Sequence, residues 1–268
     1  IMDFTSTVNP IGPPAKARNA IRKNLGNLGC RPDPEARYLV RAIARAEGVS
    51  ENNVLVGESL ETLVASLLHA FGDRTLLIEA PYPAYLRDLL EGPEEPRFFS
   101  LDGGDGFRFD PFRFAAEMRH CDAAILASPS FLSSETLSRD GARGIISEAG
   151  EHHTLLIIDE TLKGYSGTPS LAADILQREG CVVMGSLGEY YGLAGLSVSY
   201  VIGTAAVIED MRRRKAVTPP NTLAAAAATA SLRDPTFSAR TRTFMERERS
   251  FIAEGLRGIP GISFSSSA

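Results

Sequence analysis

The sequence predicts an α/β protein of the three-layer type, in which a mostly parallel sheet of seven strands lies between two layers of helices. Two observations lead to this prediction. Between residues 53 and 203, short runs that are apolar throughout recur along the chain, which is typical of strands covered on both faces. Longer amphipathic stretches separate most of these runs, and such alternation indicates parallel strands joined by crossover helices.

Seven stretches have the length and composition of strands. They are 53–57, 75–80, 97–101, 122–128, 154–160, 181–186 and 198–203. Helical patterns lie between most of them, at LETLVASLLHAFG, YPAYLRDLLEG, DPFRFAAEMRH and RDGARGIISEAGEH. Gly72, Gly92 and Gly150 stand towards the ends of three of these patterns, where helix C-caps belong.

From about residue 205 the sequence is predominantly helical. A polyalanine run at 224–228 indicates a closely packed helix, and the charged stretch 235–259 predicts a long exposed connecting helix. The final GISFSSSA resembles the first strand of a further unit. We therefore expect three parts: an N-terminal arm with part of a small domain over 1–35, a large domain over 36–235, and a connecting helix with the start of the small domain over 236–268.

Composition excludes several classes of partner. Hydrophobic content of 44% and charged content of 23% are ordinary for a globular protein, and the net charge of −5 disfavours nucleic acid or an anionic membrane as a partner. Cys30, Cys121 and Cys181 are odd in number and widely spaced, which predicts neither a disulfide framework nor a metal site and favours a reducing cytoplasm. We find no apolar run of membrane-spanning length and no signal pattern.

Four landmarks follow one another along the chain, namely DFTSTVNPIGPP, APYPAYLRDL, IIDETLKGY and GSLGEYYGLAGLSVSY. Together they resemble the class I/II aminotransferases of fold type I, which depend on pyridoxal phosphate (PLP). The stretches RPDPEARYLVRAIARAEGVSENNVLVG and VTPPNTLAAAAATASL resemble the branch of histidinol-phosphate aminotransferase and threonine-phosphate decarboxylase. The resemblance covers nearly the whole chain. It implies the large PLP-binding domain with a partial small domain, amino acids or phosphorylated amino compounds as substrates, and a homodimer.

PLP chemistry requires a lysine that condenses with the aldehyde, a carboxylate facing the pyridine nitrogen, a stacking aromatic ring and groups that hold the phosphate. By resemblance, Asp159 is the carboxylate, Tyr82 the stacking ring and Ser186 a phosphate-binding hydroxyl. Ser59 and Leu60 lie in the turn GESLET, which matches the phosphate cup. These positions also admit structural roles: a turn cap at Asp159, a strand-end cap at Ser186, and packing at Tyr82.

Several positions depart from the family pattern. Glu189 stands where the lysine belongs, because the family's S-x-x-K is SLGE here. Gly188 replaces a frequent hydroxyl residue, Ser197 replaces an arginine, and Leu162 replaces a tyrosine. The loop 128–136, SPSFLSSET, lacks the family's asparagines and glycine, and the cup turn contains two glutamates.

The size of these effects favours a pseudoenzyme. A carboxylate cannot condense with an aldehyde, so Glu189 cannot link PLP covalently. Like charges ~5 Å apart at an effective dielectric of 20 repel by roughly 3 kcal/mol, and the lost arginine removes about 1.5–3 kcal/mol of charge-assisted hydrogen bonding. We therefore predict a degenerate aminotransferase homologue whose binding of PLP is doubtful. It would keep a pocket for a small amino-acid-like or phosphorylated ligand, or act on a partner through its dimer surface.

Two other hypotheses stay open. An active transaminase or threonine-phosphate-type decarboxylase would need another lysine, either Lys163, four residues after Asp159, or one from a partner chain. The third hypothesis is a structural or regulatory protein that binds no small molecule. The histidines form no metal-ligand spacing, and neither a Walker loop nor a dinucleotide fingerprint occurs.

Overall fold

The structure is a computed structural model that describes residues 6–71, 75–83, 85–87, 96–101, 107–262 and 264. Within these residues all seven predicted strands are present. They are β1 (Val54–Gly57), β2 (Leu76–Ala80), β3 (Arg97–Ser100), β4 (Ala123–Ala127), β5 (Leu155–Asp159), β6 (Cys181–Ser186) and β7 (Ser199–Ile202). The predicted α/β class is confirmed.

The strands form one sheet in the order β1-β7-β6-β5-β4-β2-β3. Strand β7 is antiparallel to both of its neighbours, whereas every other neighbouring pair is parallel. Because β2, β4, β5 and β6 are parallel, their C-terminal ends meet at one edge of the sheet. Open α/β sheets place ligand-binding groups at this edge.

Helices cover both faces of the sheet. Within the described residues they are α1 (Ala15–Asn24), α2 (Arg37–Glu47), α3 (Leu60–Phe71), α4 (Pro111–Met118), α5 (Arg139–His152), α6 (Lys163–Ser166), α7 (Ala172–Ile175), α8 (Ala205–Arg214), α9 (Thr222–Leu232) and α10 (Pro235–Arg257). Successive side chains of β5 belong alternately to two separate clusters of buried apolar residues. The sheet therefore has a core on each face, which explains why its strands are apolar throughout.

Local sequence accounts for several helix boundaries. The side chains of Asp110, Ser138 and Asn221 accept hydrogen bonds from backbone N–H groups in the first turns of α4, α5 and α9. Pro111 then occupies the first position of α4, where no intrahelical donor is needed. These caps begin α4 and α5, which connect strands of the sheet, and α9, which lies between α8 and α10.

One helix end was predicted wrongly. Gly150 does not end α5, which continues to His152, and His153 takes the left-handed conformation with φ 56°. A Cβ atom at Gly150 would lie 3.2 Å from Cδ of Arg178, so the glycine serves close packing inside the helix. Gly72, Gly92 and most of GISFSSSA lie outside the described residues, as does part of the helix predicted over YPAYLRDLLEG.

The connecting helix α10 has 23 residues, and most of them are exposed. This agrees with the charge-rich pattern of its sequence. In the described part of the chain, no helix combines the length and the apolarity that crossing a membrane requires.

An N-terminal strap, residues 6–13, is tied to the loop between β6 and β7. Asn9 is 2% exposed, and its Nδ2 donates to the carbonyl of Tyr190 at 2.9 Å and to Oγ1 of Thr241 at 3.0 Å. On the loop side, Gly192 has φ +62°, and a Cβ atom there would lie 2.7 Å from the carbonyl carbon of Gly12. The strap and the loop therefore fit together only because position 192 has no side chain.

We expect Gly192→Ala to destabilise the protein by about 1–3 kcal/mol, because alanine combines a strained φ with a clash against the strap backbone. The matched control is Gly195→Ala in the same loop, since a Cβ atom at Gly195 meets nothing within 4 Å. Urea unfolding measures both. Equal midpoints for the two variants would show that the strap does not depend on this close approach.

Candidate ligand site at the carboxyl edge of the sheet

Asp159 lies at the centre of the candidate site. It ends the middle strand β5, is 1% exposed, and accepts hydrogen bonds from the Tyr85 hydroxyl at 2.7 Å and from the Thr161 N–H at 2.8 Å. Burial raises the pKa of Asp159 above its ordinary value, the hydrogen bonds from Thr161 and Tyr85 oppose that shift, and the nearby Glu189 carboxylate adds to it. Glu189 thus lies close enough to Asp159 for the two charges to interact.

The backbone of Glu189 is held from several directions. Its carbonyl accepts hydrogen bonds from the N–H of Asn9 at 2.8 Å and from the N–H of Gly192 at 3.2 Å. The Tyr165 hydroxyl also bridges this carbonyl, at 3.1 Å, and the carbonyl of Thr7, at 2.9 Å. The loop is therefore fixed by main-chain contacts that do not depend on the side chain at position 189.

The side chain of Glu189 is partly buried, and one of its oxygens is left without a donor. Oε2 is shielded from solvent and has no hydrogen-bond partner in the described part of the structure. The carboxylate raises the pKa of both Asp159 and Tyr165, although burial is the larger cause for each. A buried acceptor with no donor costs about 1–3 kcal/mol, so this oxygen is the least satisfied group of the site.

Tyr85 belongs to the site, and the sequence analysis did not identify it. Burial raises the pKa of its phenol well above the ordinary value, and the negative charges of three carboxylates add to the shift, namely those of Asp159, Glu61 and Glu189. A signal was present, because Tyr85 lies three residues after Tyr82 in the landmark APYPAY. The sequence alone did not say which tyrosine would reach Asp159.

A further carboxyl group lies along the same edge. Glu79, in β2, is 5% exposed, and its Oε2 accepts the N–H of Ala127 at 2.8 Å. Burial raises the pKa of Glu79; hydrogen bonds from Ala127 and the Ser130 hydroxyl oppose the shift, and the Asp159 charge adds to it. Two buried carboxyl groups, those of Glu79 and Asp159, therefore lie at this edge of the sheet.

Tyr82 and Ser186 flank this edge. The ring of Tyr82 stacks on Phe98 with centroids 5.6 Å apart and planes 12° apart. The Oγ of Ser186, at the end of β6, accepts the N–H of Gly188 at 3.0 Å, and its own N–H donates to Oγ1 of Thr161 at 3.2 Å. Tyr82 thus has a packing contact and Ser186 caps the end of its strand, which are the structural roles that the sequence analysis left open. The hydroxyl proton of Ser186 takes no part in these two hydrogen bonds.

Ser59 and Leu60 lie at the start of α3. Ser59 Oγ accepts the N–H of Thr62 at 3.3 Å, so it uses one of the backbone donors of the first helical turn. Leu60 is 6% exposed and belongs to an apolar core cluster. Glu61, in the first turn, adds a negative charge at this end of the helix.

Lys163 is held by two carboxylates. Its Nζ lies 2.6 Å from Oε2 of Glu47 and 3.3 Å from Oε2 of Glu160, and the three side chains are only 16%, 14% and 2% exposed. Glu160 also accepts hydrogen bonds from Ser170 and from the N–H of Leu171. Moving Lys163 towards Asp159 would leave these carboxylates without their cation.

A cavity of about 320 Å³ adjoins the site. Its lining includes Thr7 of the strap, Leu162, Tyr165, Met245 and Arg249. Tyr165 also carries the hydroxyl that donates to the Glu189 carbonyl, so the cavity borders the backbone of the loop that carries Glu189. The described residues contain no group of three or more side chains suited to a metal ion.

The residues of the site fit PLP only in part. Asp159 uses two of its roughly four lone-pair positions and retains capacity for a pyridinium N–H. Glu189 supplies an unpaired acceptor where the covalent link requires an amine. Ser197, at the position of the arginine, is exposed and uncharged. These residues do not fit an aldehyde cofactor held through position 189.

The carboxyl groups of the site make stability depend on pH. Asp159, Glu79 and Glu160 each have a pKa raised mainly by burial, so the folded state binds their protons more tightly than the unfolded chain does. Burying the charged carboxylates destabilises the folded state, and this cost is complete above the folded pKa values. The cost decreases as the pH falls through those values, because the carboxyl groups become protonated. We expect the free energy of unfolding to rise as the pH falls from neutral through these raised pKa values, with each group contributing at most about 1.4 kcal/mol per pH unit.

Two variants identify the source of this slope. Asp159→Asn removes one titrating group and should flatten the curve. Glu189→Gln should flatten it as well, because the Glu189 charge raises the pKa of Asp159. The double variant should add little to Asp159→Asn alone, and full additivity in urea titrations at several pH values would contradict the coupling.

Comparison with known proteins agrees with the landmarks. A sequence profile described as Aminotransferase class I and II matches residues 4–268. Histidinol-phosphate aminotransferase 1 of Bordetella parapertussis is 27% identical over 269 residues, covering 97% of this chain and 73% of the relative. Threonine-phosphate decarboxylase of Salmonella typhimurium is 24% identical over 263 residues, covering 97% of this chain and 72% of the relative.

Solved structures share the fold. The histidinol-phosphate aminotransferase from Clostridium acetobutylicum superposes with a TM-score of 0.89 at 20% identity, covering 99% of this chain and 80% of that one. The enzyme from Sinorhizobium meliloti, solved in complex with pyridoxal-5'-phosphate, gives a TM-score of 0.83 at 20% identity, with 94% and 70% covered. The resemblance stated from the sequence is confirmed, and the chain belongs to the aminotransferase class I and II family.

Proposed function

We propose that this protein is a degenerate member of the family, which has lost covalent PLP catalysis and binds a small amino-acid-like ligand at the former cofactor site. The observation that carries the proposal is Glu189, a carboxylate with a buried, unpaired Oε2 at the position of the lysine. A carboxylate forms no covalent link with the cofactor aldehyde, and Lys163, the substitute considered from the sequence, is paired with Glu47 and Glu160.

The charges of the site support the proposed loss of covalent PLP catalysis. The groups acting on Tyr85 include three carboxylates, and the exposed Ser197 stands where the resemblance expects an arginine. An anionic phosphate would approach the start of α3 against the charge of Glu61. In contrast, the Glu189 carboxylate would attract a ligand that carries a positive charge near it.

The neighbouring cavity supports a small ligand. Its volume of about 320 Å³ lies at the lower end of the usual range for small-molecule pockets. Thr7, Tyr165 and Arg249 give its lining hydroxyl groups and a cation, while Leu162 and Met245 give it apolar surface. This mixture of polar and apolar surface, next to the loop that carries Glu189, suits a small amino-acid-like or phosphorylated molecule.

The proposal is tested with PLP and borohydride. Wild-type protein incubated with PLP and then reduced should show no stoichiometric adduct by intact-mass measurement. Glu189→Lys should gain one adduct that peptide mapping places at residue 189, because the loop backbone is held independently of the side chain. A stoichiometric wild-type adduct, with a visible absorbance band that borohydride abolishes, would contradict the proposal.

The alternative of an active enzyme is tested at Lys163, the lysine that could form the covalent link in place of residue 189. If Lys163 forms the link, the wild-type adduct maps to residue 163 and disappears in Lys163→Met. We expect no such adduct, and we expect Lys163→Met to lower the free energy of unfolding by about 3 kcal/mol, since Glu160 and Glu47 lose their cation. Lys23→Met, at an exposed position of α1, is the control.

We further propose a homodimer, as the family resemblance implies. Leu28, which follows the 3₁₀ turn Leu25–Asn27, and Tyr38, in α2, are 67% and 75% exposed and supply an apolar surface for a second copy. Sedimentation velocity should give the dimer mass for the wild type and a shift towards monomer for Tyr38→Asp. Phe251→Asp, at an equally exposed position of α10, should remain dimeric, and a monomeric wild type at micromolar concentration would refute the dimer.

A further inference from the structure

We propose that the protein has a second ligand site, separate from the residues around Asp159 and Glu189, at which it binds a small aromatic anion. The site is a cleft of about 450 Å³ between the N-terminal strap and the helix α10. The inference goes beyond the proposed function, because none of the residues that line this cleft belongs to the candidate site at the edge of the sheet.

The cleft has two walls. The strap contributes Ile11 to one wall, and one face of α10 forms the other. The residues of that face recur every three or four positions over two helical turns, so their side chains lie next to one another. They are Ala239, Arg240, Thr243, Phe244 and Arg247. A hydrogen bond of 3.0 Å from Asn9 to Thr241 joins the strap to α10, so the relative position of the two walls is fixed.

The charge of the cleft favours an anion. Two arginines line it, and the described residues of its lining include no acidic side chain. Arg240 takes part in no hydrogen bond or ion pair within the described part of the chain. Arg247 donates from Nε and Nη2 to Glu248, at 2.9 and 2.7 Å, and keeps further N–H groups for a ligand. Guanidinium groups with free donors suit a phosphate or a carboxylate.

The apolar part of the cleft favours a ring. Phe244 is half-buried, and the guanidinium of Arg247 lies over its ring, 5.4 Å from the centroid. Ile11 and Ala239 add aliphatic surface. A flat aromatic ligand gains a stacking contact here, whereas an inorganic anion contacts only the arginines and Thr243. The ligand that fits the cleft therefore combines one anionic group with an aromatic ring.

Occupation of the cleft also stabilises the docked strap. The N–H of Ile11 donates to Oδ1 of Asn9 at 3.0 Å, so Ile11 keeps its place only while Asn9 is bound to the rest of the protein. A ligand that contacts both Ile11 and α10 binds only to the docked strap, and binding therefore shifts the strap towards that state. Because the strap also donates to the Glu189 carbonyl, the second site acts on the loop that carries Glu189.

The test uses isothermal titration calorimetry with phenyl phosphate and with inorganic phosphate at constant ionic strength. Phenyl phosphate carries a ring as well as the anion, so we expect it to bind about threefold to tenfold more tightly than inorganic phosphate. Arg240→Gln should weaken the binding of both probes by at least about tenfold, because a charge-assisted hydrogen bond is lost. Phe244→Leu should remove the preference for the ring and retain the binding of inorganic phosphate.

Arg242→Gln is the matched control. Arg242 is also a cation of α10, but it lies near Gly167 and outside the cleft, so this variant should bind phenyl phosphate as the wild type does. In the wild type, phenyl phosphate should also slow the amide hydrogen exchange of the strap, and Arg240→Gln should abolish this effect.

Three outcomes overturn the inference. They are no binding of phenyl phosphate, inorganic phosphate binding as tightly as phenyl phosphate, and Arg240→Gln behaving as Arg242→Gln does. Strap exchange that phenyl phosphate does not slow contradicts the coupling to the strap. These outcomes leave the proposed function intact, because that proposal is contradicted only by a borohydride-stable adduct of the wild-type protein.

Discussion

The backbone carbonyl of Glu189 is the contact on which the geometry of the site depends. It receives an N–H from the strap, an N–H from its own loop and the shared hydroxyl of Tyr165 in α6. Parts of the chain about 180 residues apart thus converge on one oxygen atom. The same oxygen fixes where the side chain at position 189 begins, and hence which groups of the sheet edge it can reach.

This arrangement separates the fold of the loop from its chemistry. The main chain is satisfied whatever side chain stands at position 189, so a lysine can be exchanged for a glutamate without loss of the loop. The cost falls on the side chain, whose Oε2 has no donor among the described residues. The backbone of the loop therefore does not depend on the charge that the side chain at position 189 carries.

Much of the fold was readable because the sheet is buried on both faces. Runs such as LLIID and CVVMGS have no polar side of their own, and they became the strands β5 and β6. The end of α5 could not be predicted from the sequence. The glycine at position 150 allows close packing against Arg178 and does not mark the helix C-cap. The predicted strands also located Asp159 at the end of β5 and Glu189 in the loop between β6 and β7.

The hydrogen-bond and ion-pair partners of the site residues could not be predicted from the sequence. Nothing local indicates that Tyr85 rather than Tyr82 binds Asp159, or that Lys163 is held by Glu47, which is 116 residues away. Such pairings follow from how helices pack on the sheet, and a single sequence carries no record of that packing. Motifs therefore indicated a candidate site, and the tertiary contacts determine the electrostatics of its residues.

The strap also has a consequence for the order in which the molecule assembles. Asn9 contacts residues 181 and 232 positions further along the chain, so its bonds close the longest loops described for the site. Closure entropy makes such contacts late to form. Because Thr7 of the strap also lines the cavity, the wall of the cavity is completed only when these long-range contacts are made.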